Sequence, residues 1–193
     1  MIVYIRIFAI LTCIVHLFSF NALANEHNTL VLSLKNGDIV IRLRPDLAPK
    51  HVARIKQLTQ EGAYNNVVFH RVIPGFMAQT GDVKFGKKDS TDFDLKRVGM
   101  GGSDYPNLVA EFSKQPFKRG TVGMARSQDP HSANSQFFIC FDDATFLNEQ
   151  YTVVGEVVKG MDVVDKIKKG TVSNNGSVTN PDVIDTAHLQ RNQ

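Results

Sequence analysis

Cysteine is almost absent from this 193-residue chain. The two cysteines are Cys13, in an apolar N-terminal run, and Cys140, between Ile139 and Phe141. If the N-terminal run is removed as a signal, only one cysteine remains and no intramolecular disulfide can form. Burial in an apolar strand raises the pKa of a thiol and lowers its reactivity, which argues against Cys140 as a nucleophile. The folded domain must therefore depend on its apolar core.

Motifs for several kinds of catalysis are also missing. There is no Gly-x-Ser-x-Gly, and the polar loop 127–135 with His131 is more typical of a solvated loop than of a serine hydrolase. Histidines are scattered singly, without metal-ligand spacing. Asp142 and Asp143 are adjacent, so on a strand end their side chains point apart, which argues against a paired-carboxylate site. The glycine-rich residues 99–102 lack the Lys-Ser/Thr and the helix that follow a phosphate loop. We expect no metal and no cofactor.

Neither sign of charge dominates the chain. It has 22 Lys and Arg residues against 19 Asp and Glu, and removing Arg6 with the N-terminal run lowers the formal net charge from +3 to +2. No block of basic residues occurs either. This balance argues against nucleic acid as a partner.

One long apolar run lies at the N-terminus. Residues 1–24 carry a single charge, Arg6, and end in the small-x-small sequence Ala22-Leu23-Ala24 before a polar stretch. The pattern predicts a secretory signal peptide over 1–24, a mature domain over 25–193 and no stable membrane insertion after cleavage. A membrane anchor is the alternative, because the run approaches spanning length.

The mature chain reads as many short strands and two helices. Asn36-Gly37 between alternating runs indicates a hairpin, and Pro49 begins a helix. A second helix is predicted over 161–167. Further strands are predicted over residues 67–73, 76–80, 108–112, 121–125, 136–141, 152–158 and 183–189, with a bulge or close backbone approach at Gly155. Without βαβ alternation, we expect a mainly β fold: an antiparallel sheet closed into a barrel and capped by the two helices.

Arg71 is the most informative single residue. It lies in an apolar strand just before a tight corner at Pro74-Gly75. A guanidinium cannot shed its charge, so Arg71 must be paired or must line a groove. Phe76, Met77 and Gln79 follow the corner, within reach of Arg71. This combination suggests a site for a ligand that is both apolar and amide-like.

Isomerisation of a prolyl amide needs only such groups. The barrier to rotation is about 20 kcal/mol and arises from C–N resonance. In the twisted transition state the proline nitrogen regains a lone pair, so a fixed cationic donor stabilises that state selectively. Arg71 would be the donor, and Phe76 and Met77 would hold the ring. A buried ion pair for Arg71 and a plain core role for Met77 and Phe138 remain the alternatives.

Four stretches of the chain resemble the cyclophilins, which are peptidyl-prolyl cis–trans isomerases. They are residues 69–82 (FHRVIPGFMAQTGD), 120–125 (GTVGMA), 134–139 (NSQFFI) and 153–162 (VVGEVVKGMD), in the family's order. The resemblance covers residues 29–189. It implies a closed eight-stranded antiparallel β-barrel capped by two α-helices. It also implies cofactor-free action on proline-containing segments of unfolded or folding proteins, and a monomer is expected.

The resemblance also assigns roles by position. Arg71 matches the catalytic arginine, and Gln79 matches the residue that orients it and contacts the substrate backbone. The proline pocket is matched by Phe76, Met77, Phe138 and Leu147, and the rest of the substrate groove by Gly99, Ala125, Arg126, Gln136, Phe146 and Tyr151.

Three positions depart from the family pattern. Arg126 stands where the family usually has asparagine, Phe146 where many members have tryptophan, and Tyr151 where they have histidine. The last two variants resemble bacterial exported members, which implies a periplasmic location. Without the indole donor, at most weak cyclosporin binding is expected.

Two other functions stay open at this point. A binding module or chaperone could use the same groove without turnover. A small-molecule-binding barrel is the other, but the bulky residues expected inside a barrel of this size argue against it.

Overall fold

The computed structural model describes residues 27–190. The predicted signal peptide, 1–24, lies outside the described residues and stays a prediction. Within residues 27–190 no helix is long and apolar enough to cross a membrane. The strands, numbered in chain order, are β1 (Thr29–Leu34), β2 (Gly37–Leu43), β3 (Val67–Val68), β4 (Arg71–Ile73), β5 (Met77–Thr80), β6 (Thr121–Met124), β7 (Phe137–Cys140), β8 (Val153–Lys159), β9 (Val183–Ile184) and β10 (Thr186–Gln190). The helices are α1 (Pro49–Gln60) and α2 (Met161–Lys166).

Eight strands form one antiparallel sheet, in the order β10-β1-β2-β8-β6-β7-β5-β4, and β3 pairs with β9 separately. The prediction of a mainly β fold with two helices is confirmed. The prediction of a closed barrel is wrong, because β10 and β4 are edges and the sheet is an open half-barrel.

A loop is bonded to the edge of β4 that a closed barrel would have paired with β10. The Val72 N–H donates to the Gly176 carbonyl at 2.7 Å, and the Gly170 N–H donates to the Val72 carbonyl at 2.9 Å. These bonds satisfy the outer edge of β4, which removes the need to pair it with β10. The loop around residues 170–178 is thereby held against Arg71.

Two predicted strands are interrupted and one is absent. The run 67–73 divides into β3 and β4 because the Phe69 N–H and the His70 carbonyl bond to Asp182 and Val178 of another segment. The run 183–189 divides at Asp185, whose N–H donates to the Ser33 carbonyl. Residues 108–112 form no strand; Leu108 makes a single bridge to Ala133.

Gly155 occupies a close backbone approach, as predicted. A Cβ at this position would lie 2.6 Å from the Arg42 carbonyl oxygen. The register between β6 and β8 also shifts beside it, where Val122 pairs with Gly155 and Gly123 with Val153. The extra residue is a β-bulge that bends β8 next to β6.

Helix α1 packs its predicted apolar face into the core, with Val52, Ile55 and Leu58 almost fully buried. No side chain of its own caps its N-terminus. Instead, Glu111 from the long loop accepts hydrogen bonds from the Lys50 and His51 N–H groups and from Nδ1 of His51 at 2.7 Å. The carboxylate therefore caps α1 and fixes the loop to it.

Candidate active site

A row of side chains crosses four neighbouring strands on one face of the sheet. Arg71 of β4 is opposite Gln79 of β5, Gln79 is opposite Phe138 of β7, and Phe138 is opposite Gly123 of β6. Directly opposite residues in an antiparallel sheet share a face. The sheet register therefore places the cation, the amide and the apolar ring side by side.

An apolar cavity of about 360 Å³ opens beside this row. We call it the proline cavity; its apolar lining residues are Phe76, Met77, Ala125, Phe138, Phe146, Leu147 and Tyr151. Met77, Phe138 and Leu147 are buried, whereas Phe146 is 63% exposed at the rim and packs on Phe76 with ring centroids 5.3 Å apart. The structure thus brings together the residues that the resemblance assigned to the proline pocket.

Aromatic side chains support the floor of the proline cavity. The Phe117 ring stacks on Phe138 at 5.9 Å, and the Tyr151 ring meets Phe138 edge-on at the same distance. A Cβ on Gly123 would lie 2.6 Å from both phenylalanine rings, so only glycine allows this stacking. Phe117 lies in the loop before β6 and was not predicted to belong to the site; an aromatic residue in a mostly polar stretch was its only signal.

Neutral groups hold the Arg71 guanidinium. Nη1 donates to Oε1 of Gln79 at 3.1 Å, Nε donates to the Asn175 carbonyl at 3.1 Å, and Nη2 donates to Oδ1 of Asn175 at 3.0 Å. No carboxylate among residues 27–190 pairs with Arg71, so a buried ion pair does not explain it. Half-burial lowers the pKa of Arg71 from its ordinary value, but a guanidinium still stays charged.

Asn175 is a second site residue that was not predicted from the sequence. It lies in the loop that covers the β4 edge and adopts a left-handed conformation, with φ of 49°. Asparagine tolerates this region better than most residues, and Gly176 follows it. An Asn-Asn-Gly turn was therefore visible in the sequence, but not its proximity to Arg71.

A chain of amides continues from Gln79 to the glycine-rich rim. Nε2 of Gln79 donates to Oε1 of Gln136 at 2.9 Å, and Nε2 of Gln136 donates to the Gly99 and Gly101 carbonyls. The rim is fixed from behind, because the buried Asp82 carboxylate accepts the Gly99 and Gly101 N–H groups at 2.7 and 2.9 Å. The orientation of the Arg71 guanidinium thus depends on a rigid network.

The second cation, Arg126, lies on the other side of the groove. Its guanidinium is 4.3 Å from the Tyr151 ring centroid and donates to the carbonyls of Ser127, Gln128 and Gln150. Arg126 therefore joins the loop after β6 to the loop before β8 through its side chain.

Ala125 and Arg126 separate the proline cavity from a second cavity of about 250 Å³. We call the second the polar cavity; it is lined by Ser127, Ser132, Asn134, Gln136 and the Gly99–Gly101 rim. Every groove residue named by the resemblance lines one of these two cavities.

Cys140 is unsuited to act as a nucleophile in the structure, as its sequence context predicted. Cys140 is fully buried in β7, and burial raises the pKa of its thiol to about 12. Among residues 27–190, no group of three His, Cys, Asp or Glu side chains could hold a metal ion.

Comparison with known proteins agrees with this site. Residues 29–189 match the family described as cyclophilin type peptidyl-prolyl cis-trans isomerase/CLD. A protein of Brucella suis named as a probable peptidyl-prolyl cis-trans isomerase is 70% identical over 167 residues, covering 86% of this chain and 85% of its own length. Peptidyl-prolyl cis-trans isomerase B of Escherichia coli is 44% identical over 142 residues, covering 69% of this chain and 79% of its own.

Solved structures share the fold. The cyclophilin of Hirschia baltica superposes with a TM-score of 0.68 at 25% identity, over 84% of this chain and 73% of its own. A cyclophilin-type isomerase of Cryptosporidium parvum, crystallised in the presence of the dipeptide Ala-Pro, gives a TM-score of 0.70 at 23% identity, over 85% of this chain and 99% of its own. The chain therefore belongs to the cyclophilin-type peptidyl-prolyl cis-trans isomerase family.

Proposed function

We propose that this chain accelerates rotation about X-Pro bonds in exported proteins as they fold, with Arg71 as the catalytic group. The observation that carries the proposal is a guanidinium without a carboxylate partner at the edge of an apolar cavity. An unneutralised cation is costly to half-bury. A role in stabilising transient charge explains why it is there.

The geometry supports a simple mechanism. The proline ring enters the proline cavity against Phe138 and Met77, and its nitrogen faces Arg71. As the amide twists, conjugation is lost and the nitrogen gains a lone pair that accepts a hydrogen bond from the guanidinium. Gln79 and Asn175 already hold Arg71 in place, so little reorganisation is needed when the charge develops.

Substitution of Arg71 tests this mechanism. We expect Arg71→Ala to lower kcat/KM about 100-fold or more on a short X-Pro peptide, as is typical when one preorganised donor is lost. Exchange between the cis and trans peptide would be followed by NMR, and circular dichroism would check the fold. Lys159→Gln removes a cation at the exposed end of β8 and is the matched control. A near-wild-type rate for Arg71→Ala would favour a binding module instead.

A chaperone activity is the second candidate, because large apolar side chains are exposed at the groove. Met100 of the rim is 79% exposed, and Phe146 lies at the opposite end. If the groove also protects unfolded chains, Arg71→Ala should still suppress aggregation of a proline-containing client. Loss of protection with intact turnover in Met100→Ser, which lies outside the proline cavity, would assign the two activities to different residues.

The proposal that the protein is exported is supported by the N-terminal sequence alone. The proposed periplasmic protein would begin at Asn25 after cleavage behind Ala24. Cell fractionation with mass spectrometry of the N-terminus tests this proposal. An intact N-terminus in the membrane fraction would instead indicate an anchor.

A further inference from the structure

Three cavities meet at Gln79, which lines all of them. The proline and polar cavities are two of these. The third, of about 310 Å³, lies on the other side of Arg71, and we call it the rear cavity; its lining includes Leu95, Lys96, Asn174 and Ser177. A peptide bound at the proline cavity therefore has further recesses on both sides of the catalytic arginine.

The charge along this groove has one sign. The ionised side chains that line the three cavities are Arg71, Lys96 and Arg126, and no Asp or Glu of residues 27–190 lines any of them. This contrasts with the whole chain, where acids nearly balance bases. A groove lined by one sign of charge attracts ligands of the other sign.

Two acids, Asp94 and Asp82, bond to backbone groups of residues that line the groove but line none of the three cavities; Asp94 accepts the Lys96 N–H at 2.8 Å. Asp82 lies behind the rim, and its two oxygens accept four backbone N–H groups, from Lys84, Phe85, Gly99 and Gly101.

The two acids close to Arg126 and Gln150 in sequence are exposed and also line none of the cavities. Asp129 accepts the His131 N–H, and Glu149 occupies a turn before Gln150.

Arg126 is the cation that lies closest to a ligand bound in the polar cavity, because it is the only one of the three cations that lines this cavity. Arg126 lines both the proline and the polar cavity, so it would border both a proline ring bound in the first and the adjacent residues of the same peptide. Its partners are three backbone carbonyls and the Tyr151 ring, and its Nε has no hydrogen-bond partner among residues 27–190. The charge is therefore positioned by neutral groups and is left without a counter-ion.

We propose that Arg126 is a specificity residue that favours prolyl segments carrying a carboxylate side chain within two residues of the proline. An extended chain advances about 3.3–3.6 Å per residue, so a side chain one or two residues from the proline reaches the adjoining polar cavity. Its hydroxyl and amide groups would solvate a carboxylate, and Arg126 would supply the opposite charge. This inference rests on the proposed function and names the substrates that the site prefers.

Peptides that differ in one charge test the proposal. In an Ala-Pro test peptide, one position is varied among Glu, Gln and Lys, in separate series for one residue before, two before and one after the proline. We expect kcat/KM to follow Glu, then Gln, then Lys in at least one series, with about threefold to tenfold between Glu and Gln at low salt, as a partly exposed ion pair allows. The preference should shrink as ionic strength rises from about 0.02 M to about 0.5 M.

Two variants assign the preference to Arg126. Arg126→Gln removes the charge but keeps a planar donor, and we expect it to abolish the ratio between Glu and Gln peptides whatever happens to the overall rate. Lys159→Gln changes the net charge equally and should keep the ratio.

Equal rates for all peptides in the wild type, or an unchanged ratio in Arg126→Gln, would overturn the proposal. If the wild type turned over no peptide, the proposed function would fail. The same peptides would then be compared by fluorescence anisotropy, and equal affinities of the Glu and Gln peptides would overturn the charge preference as well.

Discussion

Arg71 and Gln79 are directly opposite each other on β4 and β5, and Nη1 of Arg71 donates to Oε1 of Gln79 at 3.1 Å. The amide positions the guanidinium without neutralising it. Its Nε2 is committed to Gln136, so the amide cannot rotate without breaking a second bond. Gln79 therefore fixes the position of the Arg71 guanidinium and, being neutral, leaves its positive charge uncompensated.

Two substitutions of Gln79 separate these two contributions. Gln79→Ala removes the orientation, and we expect it to lower kcat/KM about tenfold. Gln79→Glu places a carboxylate against Arg71 and also loses the donor to Gln136, so its loss should be several-fold larger. NMR exchange rates on one X-Pro peptide would decide the order. Equal or faster turnover by Gln79→Glu would show that an unneutralised Arg71 is not required.

Gly123→Ala should distort the floor of the proline cavity. The new methyl group would lie 2.6 Å from the Phe117 and Phe138 rings, which must move apart. Overpacking of this kind costs about 1–3 kcal/mol of stability. We expect a lower melting temperature together with a raised KM, because the Phe138 ring in the lining of the proline cavity is displaced. Ala78→Ser, at a buried position of β5 outside the cavity lining, is the control for a stability loss without a change in KM.

Glu111→Gln should weaken the fold in a pH-dependent way. Burial alone would raise the pKa of Glu111, but hydrogen bonds from the His51 ring and from the His51 and Lys50 N–H groups hold it below its ordinary value. A depressed carboxyl pKa means that its stabilisation is present above the unfolded-state pKa, about 4.3, and is lost as pH falls through the folded-state value. The wild type should therefore exceed Glu111→Gln by about 1–3 kcal/mol near neutral pH, and by much less in acid.

The measurement is urea unfolding of both proteins at several pH values. Burial also lowers the pKa of His51, so stability tied to its neutral form is lost as pH falls below about 6.5 in both proteins. Because Glu111 raises the pKa of His51, this loss is larger in Glu111→Gln, so the carboxylate itself is tested by the fall of the difference at pH values below about 4.3. A difference that stayed constant into acid would contradict the capping role of the carboxylate.

The sequence predicted those parts of the fold and site that lie on regular strands. Alternation located β1 and β2, apolar and β-branched composition located the strands beside the groove, and the residues around Pro74-Gly75 carried the resemblance that assigned Arg71 and Gln79. The face shared by these residues follows from period-2 geometry once the strands pair. Only β1–β2, β4–β5 and β6–β7 pair consecutive strands; the β5–β7 pairing that sets Gln79 beside Phe138 joins distant residues, and no local pattern indicated it.

Contacts made by irregular segments were not predictable in the same way. The sheet was expected to close into a barrel, but the loop that carries Asn175 and Gly176 satisfies the edge of β4 instead. Asn175 and Phe117 reach the site from loops distant in sequence, and no periodicity indicates where such loops pack. Arg126 was assigned to the groove by position, yet its stacking on Tyr151 depends on the fold of two loops.

Phe146→Trp should strengthen cyclosporin binding. Phe146 is exposed at the rim of the proline cavity and packs on Phe76, so an indole fits there without entering the core. The indole adds an N–H donor that phenylalanine lacks, and one new neutral hydrogen bond is worth about 1 kcal/mol, or about fivefold in affinity. Inhibition of isomerisation by cyclosporin in the two proteins measures the change. Phe146→Leu, which adds no donor, is the control, and an equal gain in that variant would show that rim shape and not hydrogen bonding limits the affinity.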